Sequence, residues 1–238
     1  NPGINFTDIT QTLGNNVVRT LTSLDYDVFT LTKEGMSAPG SSNPRYFSVG
    51  QTNSGVANIE DMDAFGANPN GLGVERRPIG GGTSFPSINP GFSTTIPSIL
   101  YFKNSNTTTT KGFNGDALGT AATYAAQGFQ FGGHYFGDTR FSGNTSDNRG
   151  FVGNIGETIV YGDGTLTDAE RRKVDTYLAI KYGLTLGRTA TDNYISSANA
   201  VIWNGAANTS YNSNIFGLAK DDTSALHQKV SRSVNTGT

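Results

Sequence analysis

No cysteine occurs in the 238 residues. That absence excludes disulfide frameworks, thiolate-ligated zinc and thiol catalysis together. It is compatible with export, where an unpaired thiol is a liability. Charge is scarce too: Asp, Glu, Lys and Arg make up 15% of the chain, with a net charge of −2. The longest basic run, Arg171-Arg172-Lys173, reads as a solvated helix face. No nucleic-acid partner is expected, because phosphate neutralisation needs clustered cations. No apolar run approaches the roughly 20 residues of a membrane span, so no membrane insertion is expected. The two histidines, His134 and His227, lie in unrelated segments, without the Ser–Asp company of a nucleophilic triad. Gly80-Gly81-Gly82 lacks the following Lys-Ser/Thr of a phosphate loop.

What is present points to β structure. Hydrophobic residues are 35% of the chain and glycine numbers 31, below and above the usual globular averages respectively. Fourteen Phe and 10 Tyr are enough to build a core. Many short strands joined by exposed turns suit these numbers better than a helical bundle. The segment 17–24 fits a strand or a short helix equally well. Residues 26–31 (YDVFTL) read as a strand apolar on both faces, central in a sheet. Residues 46–50 alternate as a further strand, and 98–103 (SILYFK) form the clearest β run of the first half. Residues 60–74 carry few strand signals. Residues 104–110 read as a polar turn, and Asn114-Gly115 supplies hairpin chemistry. Residues 127–135 (QGFQFGGHY) read as a curved strand and 136–149 as a polar loop. Residues 188–200 read as a connector. Short strands are expected near 201–203, 215–219 and 230–234. No internal repeat is present.

The stretch from Phe151 to Leu186 carries most information. Phe151, Gly153, Ile155, Ile159 and Tyr161 fall on one side of a period-two strand, with Glu157 interrupting that apolar side. Gly162-Asp163-Gly164 is turn chemistry. Thr167-x-x-Glu170 is a capping box opening a helix over 168–182, and Thr167→Ala is expected to cost about 1 kcal/mol. Gly183 stands where a left-handed residue closes a helix. The spacing predicts docking through Val174, Tyr177 and Leu178, with Arg171, Lys173 and Asp175 largely in water.

The same residues resemble a known family. Phe151-x-Gly153-x-Ile155-Gly156-Glu157-x-Ile159-Val160-Tyr161 followed by Leu166-Thr167-x-Ala169-Glu170 is similar to the closing strand and helix of laminin-G-like, concanavalin-A-like jelly-roll modules. Val174-x-x-Tyr177-Leu178-Ala179-Ile180-Lys181-Tyr182-Gly183-Leu184-Thr185-Leu186 resembles a narrower subgroup in very large secreted and surface proteins of Bacteroidota-type bacteria. Asn193-Tyr194-Ile195-Ser196-Ser197, Val201-Ile202-Trp203-Asn204, Tyr211 and Ile215-Phe216-Gly217-Leu218-Ala219-Lys220-Asp221-Asp222 continue the likeness. Leu226-x-Gln228-Lys229-x-Ser231-x-Ser233-Val234-Asn235 completes it. The resemblance implies an all-β, two-sheet jelly-roll sandwich over residues 1–187, ending in the helix. Residues 188–238 are then the start of a following β segment. The opening Asn1-Pro2-Gly3-Ile4-Asn5-Phe6 looks like mid-domain sequence. The chain is therefore read as an excerpt lacking the module's first strands, with sheet edges left to be filled.

Two acidic groups are the candidate metal or catalytic centres. Glu60, Asp61 and Asp63 cluster, as acids do in glycosidases of concanavalin-like fold, where retaining hydrolysis needs two carboxyls about 5 Å apart. The next acid, Glu75, lies beyond a Gly/Asn/Pro loop, so a solvated acidic turn or a cation site is the favoured reading. Glu157, expected to point with Ile155 and Ile159, is the second candidate. Many laminin-G-like modules have Asp-Glu here and some hold a structural calcium nearby, but Gly156 stands in place of that Asp. A hydrogen bond to backbone or an Arg is the expected role of Glu157. Asp221-Asp222 is expected to cap a turn, with a calcium site as the alternative. Trp203 reads as core. Tyr101, Phe129, Phe131 and Tyr135 are candidates to line a ligand-binding concave face, with core packing the default for most of them. No cofactor is expected beyond a structural calcium. The favoured reading is a non-catalytic module in adhesion or extracellular assembly, at the cell surface or secreted. Its partners are other domains of a large protein or neighbouring chains. A carbohydrate-binding module is the alternative and a glycoside hydrolase the second alternative.

Overall fold

The computed structural model describes residues 25–33, 97–105, 108–116, 152–162, 164–187 and 193–232, Asn214 by its backbone alone. For 4–6, 13–15, 45–50, 62–68, 71–77, 87–88, 117–123 and 133–136 it describes the strand backbone only. The strands up to the helix are β1 (Ile4–Phe6), β2 (Leu13–Asn15), β3 (Tyr26–Lys33), β4 (Arg45–Gly50), β5 (Met62–Asn68) and β6 (Gly71–Arg77). They continue as β7 (Ser87–Ile88), β8 (Ser98–Asn104), β9 (Thr108–Phe113), β10 (Asp116–Thr123), β11 (Gly133–Phe136) and β12 (Gly153–Tyr161). They form two antiparallel sheets, ordered β1-β12-β3-β8-β9-β10 and β2-β11-β4-β5-β6-β7. The sheets face each other, β4 opposite β3 and β6 opposite β9.

Strand β3 is central, with β12 on one side and β8 on the other. Its residues 26–32 are all buried, as a strand apolar on both faces must be. Alternation assigns the faces. Val28 and Phe102 are cross-strand partners, as are Phe29 and Tyr101; the first pair points to the second sheet and the second pair to the helix. Asn114 and Gly115 turn β9 into β10 with φ of 49° and 91°, the two left-handed positions that an Asn-Gly hairpin turn requires.

Some strands differ from the sequence reading. The weak 60–74 segment forms much of the hairpin β5–β6, in register from Met62↔Arg77 to Asn68↔Gly71. Its β character comes from pairing with β4 and β7, which local propensity does not register. The expected polar turn at 104–110 ends early, since β9 begins at Thr108. Segments 17–24 and 127–132 lie outside the described residues, as does 137–149.

Helix α1 (Asp168–Tyr182) begins on its capping box and ends on Gly183 in the left-handed region. Beyond it lie β13 (Tyr194–Ile195), β14 (Val201–Trp203), a 3-10 segment Ala206–Asn214, β15 (Phe216–Asp221) and β16 (Leu226–Arg232). β13 emerges from the expected connector. The helix packs on the outer face of the first sheet, where Val174, Leu178 and Ala179 meet Phe29, Leu31, Ile99 and Tyr101. Burying a leucine such as Leu178 contributes about 1.5–3 kcal/mol.

The helix face departs from expectation at two positions. Arg171 and Asp175 are 7% and 0% exposed, not in water. With Val174, Leu178 and Ala179 they form one i, i+3, i+4, i+7, i+8 stripe. The stripe begins polar and ends apolar. Arg171 is buried because it has partners: its guanidinium lies 3.8 Å from Asp175, donates to Gly115 O at 3.2 Å and covers the Tyr101 ring at 5.2 Å.

Candidate functional site

Three side-chain groups surround α1. The first lies beneath its N-terminal half. Asp27, fully buried on β3, accepts the Tyr101 hydroxyl proton and, at 2.7 Å, the Leu166 N–H. Lys103 donates to Leu166 O at 3.0 Å, so one buried carboxylate and one lysine fix the chain entering the helix. Burial raises the Asp27 carboxyl above its ordinary range against the opposing pull of those hydrogen bonds. Burial, with Asp27 beside it, likewise raises the Tyr101 phenol. Tyr101 is 3% exposed and packs tilted against Phe29 with ring centroids 4.8 Å apart. It is a core residue, not a lining residue of an open concave face.

The second group sits at the helix C-terminal half. Glu157 Oε2 lies 2.9 Å from Lys181 Nζ and accepts the Tyr182 hydroxyl at 3.1 Å. Its Oε1 accepts the Tyr177 hydroxyl at 3.2 Å. Burial pulls the Lys181 ammonium down, but its hydrogen bonds to Tyr177 and Glu157 outweigh this and the net shift is upward. Burial and Glu157 push the Tyr182 phenol up to about 12. With both oxygens engaged and a lysine in contact, Glu157 does not fit a cation site. The expected backbone or Arg partner is replaced by Lys181 and two tyrosines.

A bulge explains this placement. Along β12, Ile155 pairs with Thr32 but Glu157 pairs with Leu31, so Gly156 is an inserted residue and the alternation changes phase. Ile155 and Glu157 therefore point to opposite faces, contrary to a strict period of two. Gly156 is itself a packing requirement. A Cβ there would stand 2.6 Å from Leu31 Cδ2 and 3.3 Å from Tyr182 Cε1. The Tyr182 hydroxyl, 3.2 Å from Gly156 O, shares its one proton between that carbonyl and Glu157. The helix closes over this glycine.

The third group is a groove of about 930 Å³ between α1, β12 and the segment carrying β13 to β16. Ile159, Tyr161, Tyr177, Ile180, Trp203 and Ile215 form much of its apolar wall. Trp203 is half-buried and donates to Asn212 Oδ1 at 2.6 Å, so it packs on the core and also faces the groove. The β15–β16 hairpin is held to the helix by Gln228 Nε2 on Lys181 O at 2.6 Å and Ser231 Oγ on Ile180 O at 2.7 Å. Asp221 ties the hairpin to β13, accepting Ser197 N–H at 2.8 Å and Ser197 Oγ at 2.6 Å. These bonds hold its carboxyl below the usual range. Asp222 pairs with Lys220 at 3.0 Å and His227 at 3.1 Å. The Asp-Asp pair thus clamps and closes a turn.

The remaining sequence candidates have no described side chains. Glu60, Asp61, Phe129 and Phe131 lie outside the described residues. Asp63 on β5 and Tyr135 on β11 are placed by backbone alone. Among the described residues no cluster of three His, Cys, Asp or Glu can hold a metal. Nor is any described helix long and apolar enough to cross a membrane, which says nothing of β-barrels. The groove itself escaped the sequence reading, because its walls are far apart in the chain.

This architecture is an all-β jelly-roll sandwich with one C-terminal helix. Among solved structures it is similar to a heptameric SAP-like pentraxin from Limulus polyphemus, with a TM-score of 0.55 and 16% identity over 73% of this chain and 81% of that one. At that identity the likeness is one of fold. A carbohydrate-binding module of the Ruminococcus gnavus IT-sialidase, solved with α2,3 sialyllactose, aligns at TM-score 0.49 and 16% identity, covering 71% and 94%. The mouse laminin α1 chain domains LG4-5 align at 0.48 and 12%, covering 68% and 41%. In sequence, residues 170–238 match the family model described as a domain of unknown function, DUF8202. No curated protein matches the chain.

Proposed function

We propose that the chain is a non-catalytic module of a secreted or cell-surface protein, acting in adhesion or extracellular assembly through its C-terminal segment. One observation carries this reading. Val201, Ile202, Tyr211, Phe216, Leu218 and Val230 are 54, 52, 64, 69, 81 and 63% exposed. Phe216 and Leu218 share a face of β15. Scattered exposed apolar residues need no explanation, but this density in one short segment is that of a contact surface. Six of the described carboxylates speak for the non-catalytic part. Asp27, Asp175, Glu157, Glu170, Asp221 and Asp222 are each engaged within the chain. The surface setting, and an origin in Bacteroidota-type bacteria, rest on the sequence resemblance.

Glycan binding is the second reading, favoured by the aromatic side chains of Tyr161, Tyr177 and Trp203 in the groove. The two readings separate in one assay. Beads carrying the chain are tested for adhesion to each other and to immobilised extracellular proteins and polysaccharides. Adhesion to protein that is lost with Phe216→Ser plus Leu218→Ser is the expected result. Adhesion only to polysaccharide, unchanged in that variant, overturns it, and release of reducing sugar removes the non-catalytic part.

A further inference from the structure

Every residue from 215 to 221 lines the groove. Side chains of a strand alternate between its two faces. An unbroken run of lining residues therefore means that β15 turns its edge toward the groove. Among the described strands β15 pairs with β16 alone, so the N–H and C=O groups of its other edge are a template for a further strand. Gly217 sits near the middle of that edge. A Cβ built there meets nothing within 4 Å, and Gly217 is not among the residues of positive φ. Neither conformation nor packing within the described chain requires glycine here. Inside a strand, glycine often marks close approach by another backbone.

Most charges around the groove are already engaged within the chain. Glu157 is held by Lys181, Asp221 by Ser197 and Lys220 by Asp222. Glu170 serves the helix cap with Lys173 beside it. A charged occupant would compete with these internal contacts, whereas an uncharged one meets an apolar wall.

We propose that the groove receives one extended, uncharged polypeptide strand with alternating apolar side chains, supplied by a neighbouring protein chain. It pairs with the open edge of β15 and lays its apolar side against Tyr177, Ile180 and Trp203. The inference rests on the assembly reading and supplies its mode of recognition: strand addition, in which backbone pairing gives affinity and alternate pockets give specificity.

The test uses the whole chain and a blocked heptapeptide of alternating threonine and valine. Trp203 is the sole tryptophan and reports on the groove by fluorescence. A saturable change is expected. The same peptide N-methylated on two adjacent central residues loses one donor from each edge, and should bind about tenfold more weakly or worse. The Gly217→Val variant should lose a similar factor with an unchanged thermal melt, since the added side chain enters open space. No saturable change, equal binding of the methylated peptide, or undiminished binding by Gly217→Val overturns the proposal. Saturable binding of xylohexaose weakened by Gly217→Val also overturns it and assigns the groove to a glycan. Bead adhesion that is lost with the Phe216/Leu218 double variant but intact in Gly217→Val keeps the assembly reading and removes the added strand. Peptide binding without any bead adhesion supports the added strand and removes adhesion alone.

Discussion

The inner side of α1 and the outer side of the β15–β16 hairpin reverse the usual placement of polar and apolar groups. Beneath the helix, Asp27, Arg171 and Asp175 are at most 7% exposed, while on the hairpin Phe216 and Leu218 are 69 and 81% exposed. Both regions belong to the helix and sheets around one groove. Under the helix Asp27 and Arg171 meet hydrogen-bond partners fixed by the fold, which offsets their desolvation, and Arg171 also stands 3.8 Å from Asp175. On the hairpin the apolar groups have no cover from the described chain. A buried charge with a partner closes a region, whereas exposed apolar surface leaves a region waiting for contact.

That contrast can be broken at several points, beginning with the largest expected effect. Leu178→Ala removes a fully buried side chain from the helix–sheet core and should cost about 2–5 kcal/mol in urea unfolding. A cost below that range would mean that the helix is held mainly by its polar contacts. Gly156→Ala places a methyl 2.6 Å from Leu31 Cδ2, and overpacking of this kind should cost about 1–3 kcal/mol. A stabilised Gly156→Ala variant would show that the helix can ride up without loss.

A pH series sharpens the buried-polar side. Lys111 is buried on β9 and burial pulls its ammonium down to about 8 from 10.5. Below pH about 8 both folded and unfolded states hold the proton. Between about 8 and 10.5 the unfolded state binds more protons, so stability should rise across that window. Lys111→Met should flatten the rise, which a melting series from pH 7 to 10 detects. A fall in the wild type that Lys111→Met removes would contradict the burial argument. The smallest effect belongs to the hairpin. Phe216→Ser plus Leu218→Ser should leave stability within about 0.5 kcal/mol, measured by the same urea titration. A large loss would show that these side chains support the fold and are not free for a partner.

Parts of this molecule were legible because their causes are local. Thr167, Glu170 and Gly183 announce the helix and its ends through backbone groups within one turn of each. Asn114-Gly115 announces its hairpin in the same way, and the two-faced apolar run at 26–31 announces a central strand. The β5–β6 hairpin was not legible, because Gly- and Asn-rich strands take their order from neighbours on either side. The phase of Glu157 was missed for a related reason. Period-two reading assumes an unbroken strand, and the bulge at Gly156, over which Leu31 and Tyr182 pack, breaks it.

By itself the sequence determined the class: a cysteine-free, weakly charged, glycine-rich chain that makes β sheets and one capped helix. These follow from composition, propensity and short-range hydrogen bonding. Only the tertiary structure decided what the helix covers, which charges are buried with partners, and that Tyr101 is core. It alone brings residues 215–221 to the wall of one groove. Burial and edge exposure depend on which distant residues arrive alongside, and the spacing of residues along one chain does not carry that information.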